Sequence, residues 1–459
     1  MLAIKSDWAG SAQPHEASCV SSRIPVGQLE IGQVHTPAGV DHTDAIRSVR
    51  QALSAWVGIA PERVQVVWAP YRICPLGAHI DHQLGTVTAM AIDQGVYLAF
   101  APSGSTEVRL RSLVYPGEVR FSLEQIPPRR PGDWGNYARG AAFALSQHRQ
   151  LRQGLVGVTT GWLAEVGLSS SAAIGVAYLL ALEAVNDLDC SVAENIHLDQ
   201  LIENHYLGLH NGILDQAAIL CSRRRHLTVI DCKAFAKATD PSLAQTHQPS
   251  FNTPAAAKAV QTLSPSPALP AFSILVAFSG LTQAVITTDY NRRVAECADA
   301  ARLLLQAAGR PLVPACLGLV DRAEFEAYRA LLSGPAARRA EHFFGEMDRV
   351  ARGITAWQQG DLVKLGNLMR ESGQSSIRLY ECGSQPLIDL YEILNQTPGI
   401  YGARFSGAGF RGCCVALADP RAAAEALPAL RHAYAARQPA LAERAQFFLC
   451  RPADGARLL

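Results

Sequence analysis

The feature that most constrains this chain is a stretch with no polar face. Residues 172–185 read AAIGVAYLLALEAV, apolar or small at every position except Glu183. A helix that is apolar all round has to be covered on all sides, so the fold must surround this segment with other elements. Directly before it stand Gly167-Leu168-Ser169-Ser170-Ser171, followed by Ala172-Ala173. Serine is a natural helix N-cap. The same small residues also leave backbone N–H groups free to converge on a phosphate at the positive end of the helix dipole. A hydroxyl there is a hard oxygen ligand for a metal. Taken alone, the segment is read equally well as an ordinary serine cap before a core helix. It is not a Walker loop, because no Gly-Lys-Ser/Thr follows, and it lacks the G-x-G-x-x-G spacing of a dinucleotide fingerprint.

The rest of the chain has material for such a cover. Of 459 residues 49% are hydrophobic, enough for two or three domains. The formal net charge of +1 asks for neither nucleic acid nor an anionic membrane, and Arg223-Arg224-Arg225 reads as a solvated turn. The 11 cysteines form no C-x-x-C pair and are odd in number, which fits a reducing, cytoplasmic setting better than a disulfide framework. Residues 1–10 carry no signal-like apolar run, and no stretch is long and uncharged enough to span a membrane. Strands are expected at 64–68, 94–101, 107–113, 273–278, 402–406 and 413–418. Helices are expected at 172–185, 291–308, 336–359 and 387–394, with 198–220 mostly helical but broken at Gly208 and Gly212. The intermixing gives an α/β or α+β class. Residues 1–40 read as an irregular tail, 41–238 as one domain, 239–271 as a Pro/Ser/Ala-rich linker or loop, and 272–459 as a second domain.

Two further segments concentrate ionisable groups. Arg72-Ile73-Cys74-Pro75-Leu76-Gly77-Ala78-His79-Ile80-Asp81-His82 sets a cation, two imidazoles and a carboxylate in one turn-rich stretch after a strand. That is the composition of a polar ligand site, although a surface loop with a salt bridge has it too. Glu203 precedes Gly212-Ile213-Leu214-Asp215-Gln216. By itself an acid such as Asp215 at a helix end is more often a cap.

Together these segments resemble the GHMP kinases in their galactokinase-like form. GLSSSAA is similar to the family's central motif. The 72–82 segment is similar to R-V-N-L-I-G-E-H-T-D-Y, with Ala78 where the family has Glu and His82 where it has Tyr. Residues 212–216 are similar to G-I-M-D-Q. Trp134 and Tyr137 fall in a W-x-x-Y-x-x-G segment, Tyr290 to Cys297 (YNRRVAEC) resembles Y-x-x-R-R-x-x-C, and 402–413 is similar to the third motif, where Arg411 stands for a usual Gly.

The resemblance covers about residues 62–420. It implies an α+β two-domain fold with an N-terminal βαβ-containing domain, a ferredoxin-like C-terminal domain and the site in the cleft between them. It further implies a monomeric, ATP- and Mg2+-dependent sugar-1-kinase. Asp215 would be the catalytic carboxylate and Arg72 its partner. Ala78, His79, Asp81, His82, Gly212 and Tyr290 would meet the sugar. Gly167, Leu168, Ser169, Ser170, Ser171, Ala172, Trp134 and Tyr137 would meet the nucleotide, and Ser171 and Glu203 the metal.

In galactokinases the Glu replaced by Ala78 sits near carbon 6, where it would repel the carboxylate of a uronic acid. Its loss points to D-galacturonate as substrate, in salvage toward nucleotide sugars. His82 if protonated, Arg378 or Arg411 would then be the cation for that carboxylate. The wording YRICPLGAHIDHQ, LIENHYLGLHNGILDQ and YGARFSGAGFRGCC resembles the plant-type, galacturonate-phosphorylating branch. Galactose, glucuronate or arabinose as substrate, or a non-catalytic sugar and ATP sensor, are the other readings.

Overall fold

The computed structural model describes residues 42–161, 167–239, 251, 253–281, 287–312 and 314–459. The expected tail at 1–40, residues 163–166 ahead of the serine run, and 240–250 of the Pro-rich segment lie outside the described residues.

The α+β class is borne out by two sheets with helices on them. In the first sheet, β1 (Gln65–Ile73) pairs antiparallel with β2 (Thr86–Pro102), and β1 is buried at all but its first residue. The 17 residues of β2 reach two further partners. Thr86–Ala89 pair with β6 (Leu227–Asp231), and Val96–Pro102 pair with β5 (Leu155–Gly161). β3 (Glu107–Ser112) runs parallel to β5 and antiparallel to β4 (Glu118–Ser122). The helix Ser170–Asn186 lies against β1 and β2, and the helices Asn136–Ser146 and Val192–Leu201 cover its other sides. Its Ala172, Ala173, Gly175, Val176, Ala177, Leu179, Ala181 and Leu182 are buried, as an all-apolar helix requires.

The second sheet has the order β11-β8-β10-β9, with β8 at Ser273–Phe278, β9 at Ile400–Phe405, β10 at Cys413–Ala418 and β11 at Gln446–Cys450. All its pairs are antiparallel. Helices stand between β8 and β9 and again between β10 and β11, which is the ferredoxin-like plan. The long helix Gly334–Gln359 belongs to the first of these crossovers. After β11 the chain returns to the first sheet, where β12 (Pro452–Ala453) pairs with β2 and β13 (Arg457–Leu458) with β1.

Three local expectations change. The helix over 198–220 is a helix to Leu201, a π turn at Ile202–Tyr206, and a new helix at Leu214–Cys221. π turns concentrate at functional sites, and this one carries Glu203. Within the expected linker, Pro254–Ala259 is helical, and β7 (Val260–Leu263) pairs with β6. Thr253 caps that helix, and Pro254 at its first position needs no N–H partner. A proline that signals a loop in sequence here opens a helix.

Trp357 is fully buried, and its indole N–H lies 3.2 Å from the carbonyls of both Leu263 and Ser264. It ties the long helix to the end of β7. Trp357→Ala is expected to cost about 3–5 kcal/mol, read as a lowered midpoint of chemical unfolding. A midpoint unchanged from the parent protein would show that this contact is not part of the core.

Candidate active site

β1 delivers Arg72 to the interior, and the helix Leu214–Cys221 delivers Asp215 in its first turn. Arg72 Nε and Nη2 both reach Asp215 Oδ1 at 2.7 Å. The arginine is 3% exposed and the aspartate 20%, so the pair is shielded yet open on the carboxylate side. Burial works against the arginine charge, and the Asp215 carboxylate more than restores it, holding the Arg72 pKa above its ordinary value. The second Asp215 oxygen accepts the Ser169 hydroxyl at 2.5 Å. Arg72 Nη1 donates to Ser406 Oγ at 3.4 Å, which brings the third motif to the same point. The residues expected to converge from three distant segments do so.

The turn before the serine helix has an unusual backbone. Gly167 and Ser169 have φ of 81° and 61°, and a positive φ is uncommon for a residue with a side chain. The Gly167 backbone meets the loop after β9. A Cβ on Gly407 would stand 2.8 Å from the Gly167 carbonyl oxygen. Leu168 is buried, and its carbonyl accepts the Arg72 N–H at 3.4 Å. Leu168 is thus a support beneath the turn, and Ala172 is likewise buried in the core.

Ser170 and Ser171 line a cavity of about 430 Å³ together with Trp134, Tyr137, Tyr115, Asp133 and Arg411. Tyr115 and Trp134 stack with ring centroids 6.5 Å apart and planes 18° apart. They give a flat aromatic surface at a distance from the serines. The Asp133 carboxylate is matched by Arg139 at 2.6 Å. This is a lining suited to a planar base at one end and anionic groups at the other.

Ser171 Oγ donates to Glu203 Oε1 at 2.7 Å, and Asn211 Nδ2 donates to the other oxygen. Glu203 is buried. Burial first, and the Asp215 charge second, push its pKa up to about 7. Asp199, one turn earlier, is buried with neither carboxylate oxygen partnered, and its pKa stands well above the carboxylate range from burial and then from Glu203 and Asp215. The area is thus overloaded with carboxyl groups relative to cations. Among the described residues no cluster of three His, Cys, Asp or Glu forms a metal cage. Ser171, which lines the cavity, and the buried Glu203 it donates to are nevertheless an all-oxygen pair that fits a hard divalent cation taking its other ligands from phosphate and water.

On the other side of Arg72 the 72–82 loop is held from behind. Glu346 Oε1 accepts the N–H groups of Gly77 at 2.9 Å and Ala78 at 3.2 Å and the Ser372 hydroxyl at 2.6 Å. Its Oε2 accepts Arg349 Nε at 2.6 Å. Glu346 stays ionised with a pKa near 2, because Arg349, then His342 and Arg404, outweigh burial. His342 Nε2 is 3.0 Å from the Ala78 carbonyl. The His79 ring stacks on Tyr380 at 4.3 Å. Asp81 Oδ2 lies 3.4 Å from the Leu214 N–H. Burial, and next Asp215, raise the Asp81 pKa to about 6. A Cβ on Gly212 would fall 2.6 Å from Asp81 Oδ2 and from the His82 N–H nitrogen, so only glycine lets this backbone approach the loop.

The cations proposed for a substrate carboxylate fare differently. His82 is 3.2 Å from the Tyr380 hydroxyl, faces Tyr290 edge-on at 6.0 Å, and has a pKa lowered to about 4 by burial, then by His342. It is neutral near pH 7 and carries no charge for an anion. Arg378 is exposed, and Arg411 lines the serine cavity. Glu346, His342, Tyr380, Ser406 and Tyr115 were not anticipated. The one sequence signal was Arg339, His342 and Glu346, spaced three and four apart on an otherwise apolar helix face, where buried charge needs a reason.

Comparison with known proteins agrees with this arrangement. The profile described as GHMP kinases N terminal domain matches residues 136–223, that for GHMP kinases C terminal matches 354–436, and the galactokinase galactose-binding signature matches 58–102. The galacturonokinase of Arabidopsis thaliana is 46% identical over 438 residues, covering 90% of this chain and 98% of the relative. The galactokinase of Roseiflexus sp. (strain RS-1) is 30% identical, covering 89% and 95%. The crystal structure of Lactococcus lactis galactokinase complexed with galactose superposes with a TM-score of 0.77 at 25% identity, covering 90% and 99%.

The neutral state of His82 is open to measurement. Its folded pKa lies below the free value, so its imidazole proton signals should stay constant from pH 8 down to about 5 and move only toward pH 4. A titration midpoint near 6.5 would mean that the ring is solvated.

Proposed function

The chain belongs to the GHMP kinases, on their galactokinase-like branch, and on that basis we propose that it transfers the γ-phosphoryl group of ATP to the anomeric hydroxyl of D-galacturonate. The observation that carries the reading is the shielded Arg72–Asp215 pair capped by Ser169 of the serine turn.

The chemistry follows from charge. Asp215 turns its open side to the sugar and accepts the anomeric hydroxyl proton as the oxygen bonds to phosphorus. The bond from the γ-phosphorus to the bridging oxygen breaks, and ADP leaves with that electron pair. Arg72 pairs with Asp215 and stabilises charge developing on the attacking oxygen. Ser169 holds the carboxylate's other oxygen in line. Such transfers depend mainly on positioning and on neutralising phosphate charge. The serine helix N-terminus supplies N–H groups for that, and Tyr115, Trp134 and Tyr137 offer the base a stacking surface. Ser171 and Glu203 are the residues to hold Mg2+, which supplies charge neutralisation on the phosphates when bound. His79, Asp81, Gly212 and Tyr290 are assigned to the sugar. Asp81 and His79 are fixed in orientation by the Leu214 N–H and the Tyr380 ring.

The choice of uronic acid rests on Ala78 and on the plant relative's specificity. A carboxylate at position 78 would face the substrate's own carboxylate, and two unit charges about 4 Å apart at intermediate dielectric repel by on the order of 4 kcal/mol. With alanine there, that barrier is gone.

Two measurements test the reading. Asp215→Asn should lower ADP release with D-galacturonate by about 10²–10⁴-fold while ADP affinity by calorimetry stays within about threefold of the parent. Unchanged turnover would remove Asp215 from the reaction. Against a panel of galacturonate, galactose, glucuronate and arabinose, the parent should prefer galacturonate. Ala78→Glu should shift the kcat/KM ratio toward galactose by about tenfold or more. A parent that turns over galactose faster would assign it to the neutral sugar.

A further inference from the structure

We propose that Arg404 is the residue that binds the carbon-6 carboxylate of the sugar acid, and so sets the preference for a uronic acid over a neutral hexose. The proposal rests on the kinase reading above and deepens it.

Among the described residues Arg404 is a buried cation without an ion-paired carboxylate. It lies on β9 and is 2% exposed. Its Nη1 donates to the Cys74 carbonyl at 3.2 Å and lies 3.8 Å from Cys74 Sγ, while its Nε is buried with no partner. Among the described residues no carboxylate forms an ion pair with it, although Arg72, Arg139, Arg339 and Arg349, also deep in the protein, each have one. A buried charge without a partner is costly, and an arriving anion removes that cost.

Its position along the site is set by strand geometry. Arg72 on β1 and Cys74 just beyond its end are two residues apart, the spacing of alternate positions along an extended chain. On β9 and just beyond it, Arg404 and Ser406 are likewise two apart. The two rows meet crosswise, Arg72 on Ser406 and Cys74 on Arg404. Positions 72 and 74 are about 6–7 Å apart along an extended chain, on the scale of one sugar ring, and the two arginines make their cross-contacts at these two successive points. With Arg72 at the anomeric oxygen, Arg404 falls at the far end of the ring.

That end is also the Ala78–His79 end of the loop. The Arg404 charge acts on Cys74, His79 and His342, and His342 holds the Ala78 carbonyl. Glu346, the nearby carboxylate, is occupied by two loop N–H groups, Ser372 and Arg349. Arg349 is set against Glu346, and with His79, His82 and His342 neutral, Arg404 is the cation of this cluster that no ion-paired carboxylate matches among the described residues. Alanine at 78 and a guanidinium without a carboxylate are two halves of one exchange. The negative charge is absent from the protein and arrives on the substrate. Arg404 anchors to backbone through Nη1 and keeps its remaining N–H groups for a planar carboxylate, which a guanidinium matches well.

The test crosses a protein change with a substrate change, using the full-length enzyme with D-galacturonate and its methyl ester, which removes the charge and keeps the ring. In the parent, kcat/KM for the ester should be about 10- to 100-fold below that for the acid. In Arg404→Met and Arg404→Gln that gap should shrink to about threefold or less, with the KM for ATP unchanged. A gap of undiminished size in either variant overturns the proposal, because a merely structural arginine would depress acid and ester alike. If both variants are insoluble, the parent alone decides. Equal use of acid and ester there refutes a cation at carbon 6. A parent that releases no ADP with either sugar refutes the kinase reading instead.

Discussion

The ion pair between Arg72 and Asp215 is the interaction on which the site depends. Arg72 is almost fully withdrawn from water, and a guanidinium in that position is tolerable only with a fixed anion beside it. Asp215 meets that need with one oxygen and keeps the other for Ser169. Three segments far apart in sequence are thereby held to a common point. β1 brings the cation, the serine turn a hydroxyl, and the helix after Gly212 the carboxylate. Losing either charged partner leaves the other buried and uncompensated, which costs more than the pair itself is worth.

The same point joins the two sheets. Ser406, just beyond β9, accepts from Arg72, and the Gly407 backbone lies against Gly167 at the start of the serine turn. The C-terminal strands return to β1 and β2, so the first sheet is completed by the last residues of the chain. The site is thus a product of both sheets, and neither half carries all of its groups.

Charge is distributed unevenly along this wall. On the Glu203 side, burial and then the charges of Glu203 and Asp215 raise the proton affinity of Asp199, and burial and then Asp215 raise that of Glu203, an arrangement that favours a divalent cation. On the Ala78 side, Glu346 is already neutralised and Arg404 is left over, which favours an anion. The serine cavity between the strands and the aromatic pair lies beyond the first of these. One end of the site therefore favours a cation and the other an anion.

Much of this was written in local sequence. The serine run before an all-apolar segment has to be the buried N-terminus of a covered helix, because no other arrangement removes so much apolar surface from water. The 72–82 and 212–216 segments carry their reactive residues at fixed offsets within a few positions, so Arg72, Asp81, Gly212 and Asp215 were legible. What tertiary structure alone decided is which charges are left without a partner. His82 looked like a cation until burial and neighbouring rings removed its proton. Arg411 looked available to the sugar, but in the fold it lines the serine cavity. Glu346 and Arg404 could not be given their roles in advance, since nothing in a linear sequence tells whether a charged residue on a helix or strand will meet its opposite. Pairing is a matter of distances of a few ångströms between segments hundreds of residues apart, and only the folded chain sets those distances.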